Sequence, residues 1–221
     1  LRQACERSLR ALRVDTIDLY QLHNPDPNVP LEESLGALRE LRDEGKVRFW
    51  GINGLGETPA LHQAVERCTA HTIQCCYNLI NPSAGVGVPD GFPFQNYERL
   101  MERAAARGMG VIAIRVLAAG ALSGEAGRHP YAAAAITPIA SGRDYAEDVA
   151  HAQRFKFLVA EGYVGSLVEA AIRFAISKPE VATALVGISD MAQLEQAARC
   201  AAAGPLPVPA LDRIARVWAY I

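Results

Sequence analysis

The chain has 221 residues, half of them apolar and 21% charged, with a formal net charge of −2. That length buries a substantial core, and the composition excludes a disordered chain, a coiled coil and a disulfide-stapled miniprotein. The near-balanced charge gives no electrostatic footprint for nucleic acid or an anionic membrane, and no apolar run reaches the ~18 residues of a membrane span. Five cysteines (Cys5, Cys68, Cys75, Cys76, Cys200) are an odd set without metal-ligand spacing. They read as reduced thiols, which implies a cytoplasmic setting.

In chain order, residues 1–12 read as an amphipathic helix with Cys5, Leu9 and Leu12 on one face. TIDLYQLH (16–23) suits a buried strand, broken by Asn24 and Pro25. Leu31 to Glu44 is helical, with Leu31, Leu35, Leu38 and Leu41 at helical spacing and Gly45 as its stop. VRFWGI (47–52) is a strand; Thr58 caps and Pro59 opens a helix that runs to about Cys68. HTIQCCYN (71–78) is a strand on which Cys75 and Cys76 face opposite ways, Asn96 to Arg107 a helix, and GVIAIRVL (110–117) a strand. A long Ala/Gly/Pro-containing connection (118–143) precedes helices at about 144–161 and 165–177, a strand at 182–188, and helices at about 190–202 and 208–220.

Strand and helix alternate, the strands are apolar and the links short, which is the signature of parallel βαβ units. No glycine-rich dinucleotide fingerprint is present, so a doubly wound nucleotide fold is disfavoured against a (β/α)8 barrel. His23, Asn53, Gln74, Arg115 and the run Gly187 to Asp190 all fall at strand C-terminal ends. That is the face on which barrels build their sites.

Five stretches carry a more specific signal: LRALRVDTIDLYQLHNPD (9–26), GALRELRDEGKVRFWGING (36–54), IQCCYNL (73–79), RGMGVIAIRVLAAGALSG (107–124) and VATALVGISDMAQLEQA (181–197). In this order they resemble the aldo-keto reductase family. The resemblance implies a (β/α)8 barrel that interconverts a carbonyl and an alcohol by hydride transfer with NADP or NAD. The partner would be a small-molecule carbonyl or alcohol, with no nucleic acid and no membrane; the oligomeric state stays open. Of the family's catalytic Asp, Tyr, Lys and His, only the His has a counterpart, at His23. With five strands read where a barrel has eight, the expectation is that residues 1–221 form the C-terminal part of one barrel domain. Roughly 100 residues of that barrel would be missing, and these residues alone would be inactive.

The resemblance implies a role for each strand end. His23 would orient the carbonyl, and imidazole suits that work near neutral pH. Gln74 has the donor and acceptor that a nicotinamide carboxamide requires, and Asn53 supplies one more amide contact. Gly54 replaces the family's usual second polar residue there. Tyr77 is either a wall of the site or a packing aromatic. Ile114 packs on the nicotinamide where the family often stacks a Tyr, and Arg115 is placed for pyrophosphate or an acidic substrate. Leu117 and Gly120 lie in the small-residue run Ala118 to Gly124, whose backbone N–H groups can approach phosphates. Gly187 and Ser189 open a helix suited to a phosphate. Gln193 stands where an Arg often meets the ribose 2′-phosphate, and Gln196 and Ala197 where Glu-Asn touches adenine. Asp190 would repel a 2′-phosphate, so the choice between NADP and NAD stays open. The departures at Gly54, Ile114 and Ala197 keep a rival reading alive: a nucleotide-binding regulatory barrel with little catalysis. A metal-dependent hydrolase would need ligands beyond His23 and Asp26, and no other His or Cys has suitable spacing. His62, His71, His129 and His151 read as solvent-facing or capping residues.

Overall fold

The computed structural model describes residues 1–23, 29–133 and 135–220. Helix α1 (Arg2–Leu12) leads into β1 (Ile17–Leu22), α2 (Leu31–Asp43), β2 (Val47–Asn53), α3 (Thr58–Arg67) and β3 (Thr72–Cys76). Then come α4 (Leu100–Ala106), β4 (Gly110–Ile114), a 3-10 turn (Ala118–Ser123), α5 (Tyr145–Gln153) and α6 (Phe157–Ala160). Helix α7 (Leu167–Ala175), β5 (Val181–Ala184), α8 (Met191–Ala202) and α9 (Val208–Trp218) complete the chain. The five strands form one parallel sheet in sequential order, β1 to β5. Sequential parallel order is what short right-handed βαβ crossovers produce, and it is the strand order of a (β/α) barrel.

Successive strand residues alternate faces, and the registers show which residues share one. Leu22 pairs with Ile52, Ile52 with Ile73, and Ile73 with Val111. These residues, with Trp50, Cys75 and Ala113, are buried in one core with Leu35 and Leu38 of α2, Leu61 and Val65 of α3, and Leu100 and Met101 of α4. The helices therefore cover this outer face, and each large side chain buried there contributes about 1.5–3 kcal/mol. A smaller cluster of Cys5, Ile17, Leu41 and Val47 fastens α1 to the start of the sheet. The opposite, inner face carries Gln21, Gly51, Thr72 and Gly110 in one register row.

The helix stop at Gly45 is as the sequence implies: its φ of 75° is left-handed, and its N–H donates to the Arg42 carbonyl. Four other expectations need correction. Thr58 does not cap α3; its hydroxyl donates to the Asn96 carbonyl at 2.9 Å, and Glu57 is the N-cap. The helix expected from Asn96 begins only at Leu100. The Asn96 side chain accepts from the Glu98 N–H at 2.9 Å, and Glu98 and Arg99 have positive φ. This local turn outcompetes the helix. The helix expected at 144–161 divides into α5 and α6, because the N–H groups of Arg154, Phe155 and Lys156 bond three residues back and turn Phe155 fully inward. The last strand ends at Ala184 instead of residue 188, and Ala182 and Thr183 on this sheet edge are exposed.

At the far end, Arg173 of α7 acts as a clasp. Its guanidinium donates to the carbonyls of Gly204 (2.9 Å) and Pro205 (3.0 Å) between α8 and α9, and to Glu169 (2.8 Å) on its own helix. Ser177 continues the tie, donating to the Arg173 carbonyl at 2.6 Å and accepting from the Leu206 N–H at 2.8 Å.

Candidate active site

Two residues on from Gln21, Gly51 and Thr72, the inner face carries His23, Asn53 and Gln74. Asn53 and Gln74 are register partners. The Asn53 side-chain nitrogen donates to the His23 carbonyl at 3.0 Å and so ties the first two strand ends together. Three of the sequence-predicted residues thus stand side by side on three neighbouring strands, with the buried Ile112 next in the row. His23 is exposed; Asn53 and Gln74 are half-buried. The strand break at Asn24 and Pro25, and Asp26 with it, lies outside the described residues. No group of three or more His, Cys, Asp or Glu side chains among the described residues is arranged to hold a metal.

Asn53 Oδ1 is buried without a hydrogen-bond partner, as are Gln21 Oε1 and Thr72 Oγ1 one row below. A buried acceptor left free costs about 1–3 kcal/mol, so such atoms mark places where a ligand or ordered water completes the bonding. Gln21 and Thr72 were not singled out in the sequence. The period-two step back from His23 and Gln74 was the available signal. The glycines between them have a steric reason. A Cβ on Gly51 would lie 2.1 Å from Thr72 Oγ1, and one on Gly54 would lie 2.4 Å from the Gln74 carbonyl oxygen, which accepts from the Gly54 N–H at 2.7 Å. The glycine at 54 therefore serves the close approach of β2 to β3.

The ends of β4 and β5 differ in character. Ile114 is half-buried and its carbonyl accepts from the Tyr77 N–H at 3.2 Å. Arg115, Ala118 and Ala119 have positive φ (58°, 46° and 58°), a backbone strain that each holds at a cost of roughly 1–2 kcal/mol. Arg115 shares a small polar cavity with Asn78, Ser141 and the buried Asp148. It has no ion pair among the described residues. Asp148 accepts from Ser141 Oγ (2.8 Å) and the Gly142 N–H (2.7 Å). In the small-residue run, the Ala118 N–H bonds Arg115, the Gly120 and Leu122 N–H groups both bond the Leu117 carbonyl, and the Gly124 N–H bonds Ala121. These four N–H groups close the turn on itself.

Beyond β5, Gly187 is exposed and Asp190 caps α8, accepting from the Gln193 N–H at 2.8 Å. Gln193 in return accepts the Ser189 N–H at 2.8 Å through its side-chain oxygen. This reciprocal pair is close kin to a capping box, so Gln193 and the Ser189 N–H are engaged with each other. Asp190 also faces His129 Nε2 at 3.3 Å, a contact that the sequence reading of His129 missed. Gln196 is half-buried on α8.

Tyr77 takes the packing alternative: it is 2% exposed and its ring stacks on Phe174 of α7, 4.9 Å between centroids. Burial pushes its phenol well above the usual range. The cysteines are buried and free. Desolvation pushes the Cys76 thiol up to about 12 and Cys75 in the same direction, which leaves both protonated and unreactive. His62 is buried, with Nε2 3.0 Å from the Tyr97 carbonyl, and is not solvent-facing.

The Aldo/keto reductase family model matches residues 1–219. The aldo-keto reductase YhdN of Bacillus subtilis (strain 168) is 47% identical over 75 residues, which is 34% of this chain and 22% of that protein. Probable aldo-keto reductase 1 of Glycine max is 45% identical over 53 residues, 24% of this chain and 15% of its own. Among solved structures, the aldo-keto reductase AKR11C1 from Bacillus halodurans superposes in its apo form with a TM-score of 0.71 at 23% identity, covering 98% of this chain and 67% of that one. Its holo form gives 0.72 at 23%, covering 97% and 65%. The matched stretches amount to less than a quarter of either curated relative, and the chain spans about two thirds of the AKR11C1 chain. With the family model matched from residue 1 to 219 and the parallel α/β fold shared with a solved member, the chain belongs to the aldo/keto reductase family.

Proposed function

We propose that this chain contributes the substrate-orienting and nicotinamide-binding strand ends of a (β/α)8-barrel reductase that interconverts a carbonyl and an alcohol with NAD(P)(H). The observation that carries this reading is the row His23, Asn53 and Gln74 on adjacent strands, with Asn53 Oδ1 buried and unpartnered. A carboxamide offers two N–H donors and one carbonyl acceptor. Asn53 Oδ1 fits one donor, and the Gln74 side chain, which has no hydrogen bond among the described residues, fits a donor and the acceptor. The nicotinamide end of the cofactor thus suits the residues present, and when bound it supplies or takes up the hydride. His23, exposed at the strand end, hydrogen-bonds the carbonyl oxygen and fixes its angle to the row. The buried Ile112 beside Gln74 keeps water from the inner face there. The proton that completes an alcohol needs a donor beside His23. The family's Asp, Tyr and Lys have no counterpart in the matched motifs, so on this reading residues 1–221 alone give no turnover.

The phosphate end fits less well, since Gln193, Ser189 and Asp190 are engaged with one another. We infer comparable acceptance of NAD(H) and NADP(H). Titration of NADH and NADPH into the protein by calorimetry, together with absorbance loss on adding aldehydes, ketones and aldoses, tests the reading. Binding of both dinucleotides is expected, with carbonyl-dependent oxidation wherever the proton donor is supplied. Absence of binding by either dinucleotide would overturn it.

A further inference from the structure

On the helical side of the sheet, away from the His23 row, a cavity of about 400 Å3 lies between the connection after β3, α7 and α9. We propose that it binds a small planar aromatic molecule carrying a neutral oxygen acceptor, at a site separate from the strand-end rim.

Its walls are flat and fixed. Phe174 stacks on Tyr77 at 4.9 Å and meets Trp218 edge-on at 5.8 Å. The Trp218 indole N–H donates to the Leu79 carbonyl at 2.8 Å, so that ring is held in place and offers the cavity only its apolar surface. Gly85 packs against Tyr77 so closely that a Cβ there would lie 2.7 Å from the ring. Val86, Leu211 and Ala215 add aliphatic lining. A cavity of this size with apolar walls and a few convergent polar groups has the build of a small-molecule site.

The polar groups choose the ligand's functional group. Tyr77 is 2% exposed and lines the cavity, yet its hydroxyl has no hydrogen-bond partner among the described residues. That hydroxyl can therefore donate to an acceptor on a ligand in the cavity. Lys178 also lines the cavity. Two of its N–H groups face Glu102 (2.9 Å) and Glu180 (3.4 Å), which leaves the third for a ligand oxygen. Because those carboxylates neutralise the ammonium and Asp212 stands at the cavity, an anionic ligand gains nothing there. A cationic ammonium offers neither the Tyr77 hydroxyl nor Lys178 an acceptor. A neutral amide or ketone on an aromatic ring answers both donors and fills the aromatic slot.

The test uses benzamide as probe, with benzoate and benzylammonium as charge-bearing counterparts, and follows the indole N–H resonance of Trp218, assigned by its loss in Trp218→Phe. Benzamide is expected to shift that resonance saturably below about 10 mM, and both ions to bind more weakly. Tyr77→Phe removes a hydroxyl with no protein partner, so the melting temperature should hold. Benzamide affinity should fall by about 3- to 10-fold, the scale of one neutral hydrogen bond. Ala215→Phe, which fills the cavity, should abolish the shift. No saturable shift, or a shift unchanged in both variants, overturns the proposal. So does a loss in Asn53→Ala in place of Tyr77→Phe, which would put the probe on the strand-end rim.

Discussion

Along β1 to β3 the inner face holds polar atoms without partners: Gln21 Oε1, Thr72 Oγ1 and Asn53 Oδ1. At the ends of β4 and β5 the polar groups bond one another: Gln193 with Ser189, Asp190 with Gln193 and His129, and Leu117 with Gly120 and Leu122. Both regions carry residues that sequence reasoning selected. The difference teaches that residue type and position nominate a site, while unengaged hydrogen-bonding capacity shows which part is ready for a ligand. A ligand at β1 to β3 gains bonds outright. One at β4 and β5 must first displace bonds the protein already makes.

The largest expected effect breaks the ready side at its chemistry. Where the proton donor is supplied, His23→Ala should lower kcat/KM for carbonyl reduction by roughly 100-fold or more, the scale of a positioned acid–base group, and steady-state kinetics on the best substrate of a carbonyl panel checks it. Next, Gln193→Arg attacks the closed side. It removes the side-chain bond to Ser189 and supplies a cation, and it should raise the NADPH over NADH preference by about 10- to 150-fold, as one charged hydrogen bond does. An unchanged ratio in paired titrations would mean that α8 does not face the ribose.

A smaller effect sharpens the contrast. Asn53→Ala should weaken binding of both dinucleotides by about 10-fold with a stability loss of only about 0.5–1.5 kcal/mol, because Oδ1 has no protein partner and only the Nδ2 bond to the His23 carbonyl is lost. A large drop in melting temperature with unchanged binding would turn Asn53 into a purely structural residue that holds His23. The smallest effect lies away from both regions. His151, edge-on to Phe94, has its pKa lowered first by burial and then by Arg154. Its folded pKa lies below the unfolded value, so the unfolded chain takes up the proton first. Stability should therefore fall as pH drops through about 6.5, and His151→Gln should flatten that slope in melts between pH 7 and 5.

Much of this was legible in the sequence. The strand positions, the stop at Gly45 and the strand-end placement of His23 and Asn53 followed from local pattern, because hydrophobic spacing and a left-handed glycine act over a few residues, whereas Gln74 lies at the middle of β3. What escaped depends on contacts far apart in the chain. Thr58 looked like a cap until Asn96, 38 residues away, took its hydroxyl. Tyr77 could be assigned to neither face until Phe174 supplied its stacking partner. Gln193 read as a substitution for an Arg, and only the geometry of the α8 entry shows it closing back on Ser189.

The Arg173 clasp has a consequence for how the molecule opens. One guanidinium holds the link between α8 and α9 to the last turn of α7, and Ser177 fixes Leu206 to the same helix end. Fraying of α9 alone would leave these bonds intact, whereas any larger opening must break several together. Helices α7 to α9 should therefore exchange their amide hydrogens as one cooperative block with a shared opening free energy, distinct from that of α1 and β1 at the other edge of the sheet.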